Sequence, residues 1–62
     1  MVSIELTNWI NNELPEGGAW WSSNSAEFFH KAAGTLLAKG LSVDEIKELF
    51  TNLYSAVAEE YN

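Results

Sequence analysis

A chain of 62 residues is one domain, and at this size only about 60% of the unfolded surface can be buried, so stability needs dense packing or association. The absence of Cys excludes disulfides and thiolate metal sites, while 47% apolar and 13% aromatic residues argue against disorder. Nine acidic residues against three lysines, with no arginine, give a formal charge of -6, which argues against autonomous nucleic-acid binding and against anionic membrane surfaces.

In the first segment Val2, Ile4 and Leu6 alternate with polar residues in strand period, yet Leu6, Trp9, Ile10 and Leu14 fit a helical stripe behind a Ser3 cap. No later segment offers a strand to pair with it, so a helix is expected over residues 3–14, ended by Pro15 and Gly17-Gly18. The start, MVSIELTNW, carries no leader pattern, and no apolar run approaches the roughly 18 residues of a membrane span. The expectation is a soluble, cytoplasmic protein.

The connection that follows, PEGGAWWSSNS, sets Trp20 beside Trp21. Side chains step by about 100° per residue in a helix and alternate in a strand, so neighbours cannot both face one core from regular structure. One Trp is expected to plug the open end of a helical hairpin while the other joins Phe28 in an exposed patch, with the assignment left open. In the alternative, the loop folds over and buries both.

A second helix is expected over residues 24–39. Asn24 with Glu27 three positions on suits its start, and Ser22, Ser23 and Ser25 can also cap it. Phe29, Ala32, Ala33, Leu36 and Leu37 form its apolar face, from which Phe28 is turned about 100° away. Gly40 suits a left-handed C′ position, with Leu41 folding back on Leu36. Then Ser42-Val43-Asp44-Glu45 spells a capping box, and Leu41 and Ile46 a hydrophobic staple. The third helix, expected over 43–60, carries Ile46, Leu49, Phe50, Leu53, Val57 and Tyr61 as its stripe. The fold class is therefore all-α: a single three-helix domain over 1–62, with helices two and three joined as a tight hairpin through Lys39-Gly40-Leu41-Ser42.

Few residues suggest chemistry. His30 is the sole histidine; Glu27 lies one turn before it, but no further ligand converges by spacing, so a rim histidine is expected and no metal. Serines 22, 23 and 25 read as caps rather than nucleophiles. Gly17-Gly18 has a carboxylate where a phosphate loop needs a cation. Glu59-Glu60 read as a solvated acidic terminus. No catalytic residue and no cofactor is expected, and the chain is read as non-enzymatic.

The aromatics carry more weight. Eight of them bury roughly 150 to 250 Å² each, more than a three-helix core of this size encloses, so some must sit at the rim. Trp20, Trp21 and Phe28 are the expected partner-binding surface, toward another protein or a second copy of the chain. Asp44, Glu45 and Glu48 form an acidic face. Capping and the helix dipole account for the first two, and Glu48 is expected to pair with Lys47 or solvent. The alternative is an acidic surface that mimics a phosphate strand and occupies a nucleic-acid-binding protein.

The run NSAEFFHKAAGTLLAKGLSVDEIKELF, residues 24–50, resembles the small helical module toward the C-terminal side of phage and plasmid primases. Ala33-Gly34, Leu36, Lys39-Gly40-Leu41-Ser42 and Asp44-Glu45-Ile46 carry the match, over under half of the chain. Those modules usually carry Arg around the first helix, and this chain has none. The resemblance implies a phage or mobile-element origin and, as a further alternative, an accessory module of a replication apparatus.

Overall fold

The computed structural model describes residues 3–15 and 21–61, and over these the protein is all-α. The first helix, α1, spans Ile4–Asn8 and continues directly as a π-helical segment over Trp9–Glu13; α2 spans Ser23–Ala38 and α3 spans Val43–Tyr61. Val2, Gly17, Gly18 and the side chain of Tyr61 lie outside the described residues.

The first segment resolves in favour of helix. Ser3 is extended, and its hydroxyl accepts from the Leu6 N–H at 3.1 Å, satisfying one of the donors that a helix start leaves open. A regular α-helix through residue 14 does not form, however. The Leu14 N–H donates to the Trp9 carbonyl at 2.8 Å, five residues back, so the turn is widened. An i, i+4 step overshoots an α-helical turn by about 40°, whereas it falls short of a wider one. One after the other, the two turns keep Leu6, Ile10 and Leu14 in line, and all three are buried.

The hairpin follows its local chemistry. Ser22, in extended conformation, accepts from the Ser25 N–H at a long 3.4 Å, so α2 begins one residue before the expected start and Asn24 lies inside it. At the other end the Gly40 N–H donates to the Leu37 carbonyl at 3.0 Å and the Leu41 N–H to the Leu36 carbonyl at 3.2 Å. These are the paired bonds of a Schellman motif, and Gly40 takes the required positive φ of 101°. The capping box then closes in both directions: the Glu45 N–H donates to the Ser42 hydroxyl at 3.1 Å, and the Ser42 N–H to the Glu45 carboxylate at 2.9 Å.

The core draws on all three helical stretches: Leu6, Ile10 and Leu14, then Phe29 and Ala33, then Ile46 and Phe50. The ring of Phe29 meets Phe50 edge-on at 4.9 Å, and Trp9 stacks over Phe50 at 6.5 Å. Ala33, which carries little side chain, is fully buried on α2, the helix that packs against both α3 and the π segment. On α3 the stripe is narrower than expected. Val43 and Tyr54 pack against the core beside Ile46 and Phe50, whereas Leu49 and Leu53 stay 47% and 40% exposed. Leu49 sits about 100° round the helix from Phe50, at the edge of the face rather than on it.

One lysine ties α3 to α1. Lys47 Nζ lies 2.8 Å from Glu5 and 6.0 Å from the centre of the Trp9 ring, so of the two alternatives for Glu48, Lys47 or solvent, the lysine is engaged by Glu5 and Glu48 is exposed. Among the described residues no helix is long and apolar enough to cross a membrane.

Candidate functional site

Trp21 packs against the core at the start of α2. Its ring stacks on Phe29 at 5.4 Å, nearly parallel, and meets Tyr54 of α3 at 6.0 Å, so it closes one end of the space between α2 and α3. Trp20 lies outside the described residues. Phe28 is 56% exposed, and its ring meets that of the core residue Phe29 in a T-shaped pair with centroids 5.4 Å apart. With Asn24, Glu27 and Lys31 it lines a shallow groove on the outer face of α2. Asn24, Phe28 and Lys31 fall at i, i+4 and i+7, which is why one face gathers them. Glu27 and Lys31 form an ion pair at 3.1 Å there, with both side chains largely in solvent.

That pairing takes Glu27 away from the histidine. His30 instead donates from Nε2 to the Asn11 side-chain carbonyl at 3.0 Å, linking α2 to the π segment. It is a half-buried strut between elements. Among the described residues no group of three or more His, Asp or Glu side chains could hold a metal ion.

The acidic residues gather at the start of α3. The Ser42 backbone N–H, with the Ser42 hydroxyl second, holds the Glu45 carboxyl below the usual carboxylate range, so Glu45 is ionised and fixed in direction. Glu5 beside Lys47 raises the ammonium above its ordinary value. Asp44 and Glu48 are exposed. Glu45 and Glu48 line a second shallow groove with Leu41, Leu49 and Asn52. The structure thus brings together two surfaces: an aromatic one on α2 around Phe28, and a leucine and carboxylate one at the turn and the first half of α3.

No protein-family model matches the chain, and neither a curated protein nor a solved structure matches it.

Phe28 is legible from the sequence because it is adjacent to a core residue, and two neighbours on a helix cannot share one face. Leu49 and Leu53 escape notice as surface residues because counting threes and fours from Ile46 sweeps in both edges of a face as well as its centre. A helical wheel sets Leu49 well away from Val43 and Tyr54, but it puts Leu53 only about 20° from the buried Ile46, so the sequence carries no signal that separates Leu53.

Proposed function

We propose that the protein works by binding another protein through the aromatic surface at the start of α2, and that it catalyses no reaction. The observation that carries this reading is the exposure of Phe28. A phenylalanine 56% exposed on the second turn of a helix adds little to the fold, and exposed aromatic side chains in shallow grooves are common anchors at protein interfaces. Asn24, Glu27 and Lys31 supply a polar rim around it. Trp20, next to the core-packed Trp21, belongs to the same proposed surface. The partner is another protein or a second copy of the chain, in a cytoplasmic setting.

The informative substitutions are Phe28→Ala and Trp20→Ala, because Trp21→Ala would also open the core. With the fold verified by circular dichroism, each should weaken self-association in sedimentation equilibrium or the capture of a protein partner from cells that encode the chain. Unchanged self-association together with unchanged capture rejects the proposal.

A further inference from the structure

The second surface is independent of Phe28 and has a different chemistry. Leu49 and Leu53, one turn apart on α3, leave 47% and 40% of their surface open, and Leu41 of the turn joins Leu49 in lining a groove. The charged residues lining that groove, Glu45 and Glu48, are both carboxylates, with Asn52 the remaining polar member. Glu45 is no loose side chain: its carboxylate accepts from the Ser42 N–H at 2.9 Å, so the groove edge carries a negative charge of fixed direction. Lys47 does not neutralise this side. It lies two positions from Leu49, about 200° round the helix, and engages Glu5 of α1.

We infer that this leucine ridge with its acidic edge is a docking surface for a cationic amphipathic helix of another protein. The apolar stripe of such a helix would lie along Leu41, Leu49 and Leu53, and its flanking Lys or Arg would meet Glu45 and Glu48. Charge decides between this occupant and a second copy of the chain. A two-fold pairing on this face would set Glu45 and Glu48 against their own equivalents, in molecules that each carry a net charge of -6.

The test uses a fluorescein-labelled leucine and lysine peptide, patterned as an amphipathic helix about 18 residues long, and a scrambled peptide of the same composition. Binding to the full chain is followed by anisotropy, and its location by amide shifts in heteronuclear NMR. The patterned peptide should bind at least about tenfold more tightly than the scrambled one. The shifts should centre on residues 41–53, and rising salt should weaken binding. Leu49→Ser with Leu53→Ser should lower affinity by about tenfold or more. Glu48→Lys, a substitution at an exposed position that leaves the apolar ridge intact, should do the same if the ridge variant unfolds.

Equal binding of the scrambled peptide would overturn the inference, as would shifts centred on Phe28 or wild-type affinity in Glu48→Lys. Self-association of the wild type abolished by Leu49→Ser would assign the face to a second copy instead. Because Phe28 takes no part, failure here leaves the proposed aromatic site standing, and the converse also holds.

Discussion

Gly40 shows how a single residue can be required by conformation alone. Its φ is 101°, and a Cβ built there would meet nothing within 4 Å, so the obstacle to a side chain is the left-handed backbone and not space. Gly40→Ala should therefore cost about 1–2 kcal/mol in urea unfolding, and Gly40→Asn less, since Asn tolerates this region better. Ser42, as N-cap, is worth about 1 kcal/mol when replaced by Ala. The same cap sets a pH dependence. The folded Glu45 carboxyl titrates below its ordinary range, so its contribution is complete above that range and is lost as pH falls through the folded value. Ser42→Ala removes the smaller, hydroxyl cause and keeps the larger one from the backbone N–H, so the acid limb of a stability-versus-pH profile should become shallower without disappearing. Lys47 acts in the opposite sense at the alkaline end: its raised value means that its pairing with Glu5 is intact below the ordinary lysine range and is lost as pH rises above it.

At the scale of elements, the hairpin and the first helical stretch have different origins. The α2–α3 turn is specified within a few residues by the C′ glycine, the Schellman bonds and the capping box, and each of these is legible in the amino-acid sequence alone. Most of Lys39-Gly40-Leu41-Ser42 and Asp44-Glu45-Ile46 thus have a local structural role here. The first stretch is legible as a helix from Ser3 and the Leu6, Trp9, Ile10 and Leu14 stripe. Its π segment is not, because apolar spacing reports which side chains align and not which carbonyl each N–H selects. A stretch this short depends on its packing. A peptide of residues 3–15 should show almost no helix by circular dichroism, since isolated helices below about 12–15 residues are marginal in water.

For the whole molecule, a chain of this length has about 3–9 kcal/mol of stability in total. Phe29 lies at the centre of the aromatic cluster, touching Trp21, Phe28 and Phe50, and is 1% exposed. Phe29→Ala should cost about 3–5 kcal/mol, a large share of that total, measured by urea unfolding. Its neighbour should behave quite differently. A partner-binding role for Phe28 requires that this ring be surplus to folding. Urea unfolding of Phe28→Ala at low protein concentration tests this most directly. A cost below about 1.5 kcal/mol, the scale of one edge-on ring contact, is predicted. A loss of about 3 kcal/mol or more would make Phe28 a core residue and contradict that role.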